Sequence, residues 1–198
     1  MTLESSKNLG GIGAILLIVG SLAGAASLFA GALSLVGLIL VLIGLKGMAD
    51  HFKEPGILSN ALHAIIIIGA VVAVAVIVVG VLAVMSAGSN WMNPDMAGLM
   101  DISQIWNFIG AVIAGVVVLM VTLVIAALFL RKSFGTLAEK TGEKLFETAG
   151  LLMLIGAVLT IIAVGLVIVL IAWILVAVAF FQVKELAPPA QAPPPPLP

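Results

Sequence analysis

Of 198 residues, 63% are hydrophobic and 17 are charged, eight Lys or Arg against nine Asp or Glu. A soluble domain carries about a quarter charged residues, so the solvent of this chain is largely lipid and a soluble enzyme is excluded. The net charge of −1 supplies no basic field for nucleic acid, and the absence of cysteine removes disulfides, thiolate metal sites and thiol nucleophiles.

Four stretches lack Asp, Glu, Lys and Arg: 8–45, 55–94, 102–130 and 148–183, of 38, 40, 29 and 36 residues. One helical crossing needs about 20 residues. A straight helix over the first or the last stretch would run on the order of 55 Å, well beyond the hydrocarbon layer of about 30 Å. In the first, the small residues of Gly20-Ser21-Leu22-Ala23-Gly24-Ala25-Ala26-Ser27 offer a turn between two short spans. Lys7 and Ala23-Gly24-Ala25 resemble parts of a cleaved leader, but Glu4 offsets the lysine, and the segment reads as a retained span.

The second stretch has an apolar centre over 61–85 between polar, flexible ends, and reads as one crossing. The third begins with Ser103, Gln104, Trp106 and Asn107 and ends at Arg131-Lys132, as an interface-anchored span does. In the fourth the one comparable breaker is Gly165. Leu35–Ile43 matches Ala163–Ile171 in character, and Leu16–Gly20 matches Leu152–Gly156, which favours a hairpin in both end blocks.

The expectation is an all-α, polytopic helical membrane protein of about six short transmembrane helices, with hairpin-like repeats over 9–46 and 148–184; four long helices are the alternative. Residues 1–187 form one transmembrane domain. Residues 188–198, seven prolines in eleven residues, form an extended spacer or a recognition tail. Islands 46–54 and 131–147 hold Lys46, Lys53, Arg131, Lys132, Lys140 and Lys144, whereas 86–101 holds no Lys or Arg. The first two are therefore expected in the cytoplasm and the third outside, with both termini cytoplasmic.

Gly13, Gly20, Gly24, Gly37 and Gly44 recur at helical spacing, and Gly110 precedes Ala114 by one turn. Small residues let helices approach in lipid, within one chain or across a homo-oligomer seam. The apolar blocks hold no Asp, Glu, Lys or Arg, which counts against ion-coupled transport. The polar groups of the membrane interior are Ser21, Ser27, Ser34, Thr122 and Thr160, with His63 near an interface. Asp50, His51 and Glu54 have hard-metal spacing but read as solvated loop residues, and no metal or cofactor is expected. Over 133–148 a helical face carries Phe134, Leu137, Ala138, Thr141 and Leu145 opposite charged residues. That pattern suits an interfacial helix or a cytoplasmic extension, with Phe134, Leu137 and Leu145 as a candidate docking surface.

Four pieces together resemble an archaeal family of small polytopic membrane proteins grouped as a domain of unknown function. They are Ser6–Gly13; Leu45–Asp50; Arg131–Phe134 with Leu137–Glu143; and Ala149–Leu152 followed by Ile171–Ile174 and Ala179–Phe181. The resemblance extends to about Lys184 and implies an archaeal plasma membrane, with no activity or catalytic residues to carry over. Some members of that family end in a zinc ribbon; here the proline tail stands in its place and no cysteine is present. The expected role is non-enzymatic, a scaffold or accessory subunit whose partners are the lipid bilayer and further copies or other membrane subunits. A passive channel or small-solute carrier is the alternative, and it needs a continuous polar line from Ser27 and Ser34 to Thr122 and Thr160.

Overall fold

The computed structural model describes residues 2–24, 28–92, 102–162 and 164–184. Six α-helices follow one another: α1 Leu3–Gly24, α2 Leu28–Phe52, α3 Pro55–Met92, α4 Ile102–Thr141, α5 Lys144–Leu159 and α6 Val164–Gln182. A 3₁₀ turn, Thr160–Ile162, precedes α6, and no strand occurs among the described residues.

Local chemistry sets the helix ends. Thr2 caps α1, its hydroxyl accepting from the Ser5 amide at 3.2 Å. The α2–α3 turn closes with the Glu54 amide donating to the Ala49 carbonyl at 2.9 Å while Lys53 takes φ 53°, and Pro55 then opens α3 with its ring already in helical φ. Gly142, at φ 73°, ends α4, and Glu143 caps α5 by accepting from the Leu145 amide.

Both end blocks double back, so α1 pairs with α2 and α5 with α6, as expected, and the alternative of four long helices fails. Among the described residues, five helices are long and apolar enough to cross a membrane. The sixth, α5, has 16 residues, while α3 and α4 have 38 and 40, so the spans are not uniformly short. α4 continues through Arg131 to Thr141. The polar segment 133–148 is therefore the end of one helix and the start of the next, divided at Gly142.

The chain order α1–α2–α3–α4–α5–α6 alternates in direction, which brings all eight Lys and Arg residues to one end of the bundle. Lys7 lies near the start of α1, Lys46 near the end of α2 and Lys53 in the following turn. Arg131, Lys132 and Lys140 lie late in α4, Lys144 opens α5, and Lys184 follows α6. The best-packed core sits at this charged end: Leu45, Met48, Ile57, Phe134, Leu137, Phe146, Val176 and Phe180 are all fully enclosed.

Candidate functional site

Two contact systems and one groove organise the charged end. The first system is a glycine seam. A Cβ on Gly13 would lie 2.6 Å from the Val41 backbone nitrogen, and one on Gly44 would lie 2.6 Å from the Gly10 Cα. Gly37 meets Gly13 and Leu17 as closely, so α1 and α2 touch backbone to backbone. The second is an aromatic stack. The Phe134 and Phe146 rings are 6.1 Å apart at 25°, Phe146 and Phe180 are 5.2 Å apart at 86°, and the far side of Phe180 lies on Gly10. This chain of rings ties α4, α5, α6 and α1 together. Ser133 adds a cross-link, its hydroxyl donating to the Ile57 carbonyl of α3 at 2.6 Å.

The groove runs along α4 beside α5 and encloses about 630 Å³ between Ile125, Leu128, Phe129, Arg131, Lys132, Gly135, Thr136, Glu139 and Glu147. His63 of α3 stacks on Phe129 at 5.5 Å, and its Nδ1 lies 2.6 Å from the Ser59 carbonyl oxygen. That bond is the local satisfaction expected of a single interfacial histidine.

The residues singled out in the sequence divide clearly. Gly13, Gly37 and Gly44 form the α1–α2 seam inside one chain; Gly20 is buried and Gly24 closes α1. Gly110 and Ala114 are exposed, and a Cβ on Gly110 would meet nothing within 4 Å. Phe134 and Leu137 correct the docking expectation: both are fully buried in the chain's own core, and Leu145 is half-buried against it. Of the Asp50, His51 and Glu54 group, Glu54 pairs with Lys140 at 3.3 Å and His51 stands edge-on to Phe52.

Three polar groups of the spans bond to their own helices. Thr122 donates to the Val118 carbonyl, Thr160 to Gly156 and Ser21 to Ile18. Ser27 lies outside the described residues, as do Asp95, Asp101 and the tail 188–198. The two matched sequence blocks both fold as hairpins, but in different glycine registers: Gly37 packs on Gly13, whereas its counterpart Gly165 packs on Gly156. Sequence reasoning passed over Gly10, Phe180, Gly150 and Ser133. The one usable signal was the Gly10-Gly11 pair one turn before Gly13, which leaves no side chain on that face of α1.

A bundle of alternating apolar helices with every basic residue at one end is the architecture of a polytopic α-helical membrane protein. The chain belongs to the family described as protein of unknown function DUF996, which matches residues 33–174. It is also similar to the uncharacterized protein MJ1644 of Methanocaldococcus jannaschii, 29% identical over 185 residues that cover 93% of this chain and 95% of the relative. No solved structure matches the chain.

Proposed function

We propose that this chain is a non-enzymatic integral membrane protein acting as a scaffold or accessory subunit of a larger assembly, with the outer half of α4 as its assembly seam. One observation carries the reading: every residue from Val112 to Leu119 is exposed, two full turns of apolar helix surface. Gly110 and Gly115 border or punctuate this stretch with open space over their Cα atoms. Valines interrupted by glycine and alanine form the ridges and shallow grooves that let a second helix approach closely in lipid. The partner is a further copy of the chain or another membrane subunit. The plasma membrane is the proposed location, with the basic end and both termini in the cytoplasm.

The local bonding of Thr122 and Thr160 supports this reading over a channel or carrier, since those hydroxyls are already engaged with their own helices. Extraction in mild detergent followed by mass measurement of the intact particle tests it. The expected result is a reproducible stoichiometric oligomer or complex that Gly115→Leu weakens. A monomer that carries no partner before or after cross-linking in the membrane, together with solute flux in proteoliposomes, would replace the scaffold reading by the channel one.

A further inference from the structure

The groove on α4 is graded along its length. Ile125, Leu128 and Phe129 form its apolar part, Arg131 and Lys132 come next, Glu139 closes its far end, and Glu147 lines it from α5. The steps from Ile125 to Lys132 and from Lys132 to Glu139 are seven residues each, about 10 Å along the axis. The one ion pair among the described residues joins Lys140 to Glu54, so Arg131 and Lys132 line the groove without a carboxylate partner, as Glu139 and Glu147 do without a cation. Gly135 lies between the two charged levels with nothing within 4 Å of a Cβ built on it, and the Thr136 hydroxyl is already donated to the Lys132 carbonyl. The groove thus has two positive and two negative side chains, separated and unneutralised, above an apolar wall.

We infer that this groove binds a zwitterionic phospholipid bearing a primary ammonium. The hydrocarbon chains lie along Ile125, Leu128 and Phe129, the phosphate lies between Arg131 and Lys132, and the ammonium faces Glu139 and Glu147. The order apolar, cationic, anionic is the complement of tail, phosphate and ammonium. A guanidinium with an ammonium beside it gives charge-assisted contacts to phosphate oxygens. Basic grooves where helices leave the bilayer are a recurrent headgroup site. A lipid whose headgroup is only anionic leaves both carboxylates facing a phosphate, and like charges at that range repel. The inference rests on the reading of α4 as a span that leaves the bilayer near Arg131.

The test is native mass spectrometry of the full chain released from membranes and equilibrated with equal phosphatidylethanolamine and phosphatidylglycerol. The expected result is one retained phosphatidylethanolamine per chain, in preference to phosphatidylglycerol. Arg131→Gln combined with Lys132→Gln lowers retention about tenfold, the size expected for losing charge-assisted contacts. Glu139→Gln combined with Glu147→Gln keeps a lipid but turns the preference to phosphatidylglycerol. All four side chains line an open groove, so these changes leave the core intact. Equal retention of the two lipids by the wild type, or an unchanged preference in both double variants, overturns the site. Full displacement by free phosphoethanolamine overturns the lipid as occupant in favour of a soluble ligand. Recovery of the chain in the soluble fraction overturns the membrane reading itself.

Discussion

Gly13 and Gly37 face one another reciprocally: a Cβ on either would lie 2.7 Å from the carbonyl oxygen of the other. The contact is backbone against backbone, so no side-chain rotamer relieves it. Gly13→Ala and Gly37→Ala are each expected to push α1 from α2 and lower stability by about 1–3 kcal/mol. The double variant is expected to cost less than the sum, because helices already parted have room for the second methyl. Thermal unfolding of the purified protein in one detergent measures all three.

Phe180 is wholly enclosed, with the Phe146 ring perpendicular to it and Gly10 against it. Phe180→Ala removes a ring from a site that other rings cannot fill, and is expected to cost about 3–5 kcal/mol. Trp106 is 68% exposed at the opposite end of the bundle. Trp106→Ala is expected to leave the melting temperature in detergent nearly unchanged. Equal losses in the two variants would mean that the aromatic stack is not the tie between α4, α5, α6 and α1.

Two polar contacts at the charged end differ in burial, and their energies are expected to follow. Ser133 is fully buried and donates to the Ile57 carbonyl, whereas Lys140 and Glu54 pair with side chains 42% and 34% exposed. Ser133→Ala is expected to cost about 1 kcal/mol, a typical net hydrogen bond. Lys140→Ala is expected to cost at most a few tenths of that and to lose its effect in salt, as screened surface pairs do. Denaturation at low and high ionic strength separates the two.

The fold was legible where the pattern had one physical meaning. Small residues over 20–27 marked the first reversal, and charge-free length marked the spans. The second reversal was read from Gly165, whereas the chain turns through Thr160–Ile162 and Gly165 lies just past the turn, packed on Gly156. α4 runs through Gly135, and Gly142 with its positive φ makes the break. The candidate site was less legible for a reason that Phe134 and Leu137 illustrate. An apolar face at helical spacing is the same pattern whether it meets a partner or the chain's own helices. Here α4 continues beyond the apolar block, so that face meets α5 and the rings of Phe146 and Phe180. The groove was equally hidden, because Glu147 reaches it only once α5 folds back along α4.

Two residues among those described take positive φ, Lys53 at 53° and Gly142 at 73°. A side chain in that region carries a cost of about 1–2 kcal/mol that glycine avoids. Lys53→Gly is therefore expected to raise stability by about 0.5–1 kcal/mol, the remainder being offset by the freer unfolded chain. Gly142→Ala is expected to lower it by about 1 kcal/mol or more and to loosen the α4–α5 turn. Opposite signs in thermal unfolding are the expected outcome; the same sign in both would contradict the two turn geometries.

The clustering of all eight basic residues at one end makes the orientation testable with single cysteines, since the chain has none of its own. Ser133 is unsuitable as a probe because it is buried and hydrogen bonded, whereas Ser5 and Glu139 are exposed at the basic end. Ser89 lies toward the opposite end of α3. If the basic end faces the cytoplasm, an impermeant thiol reagent added to intact cells labels Ser89→Cys. Ser5→Cys and Glu139→Cys then label only after the cells are opened. Because α5 and α6 double back, Lys184 shares the end of Lys7, and Ala190→Cys in the tail is expected to follow Ser5→Cys. Labelling of Glu139→Cys in intact cells would invert the orientation and leave the hairpins intact. Labelling of Ala190→Cys without Ser5→Cys would instead require that α5 and α6 cross the membrane only once between them, which their mutual packing through Gly156 and Gly165 opposes.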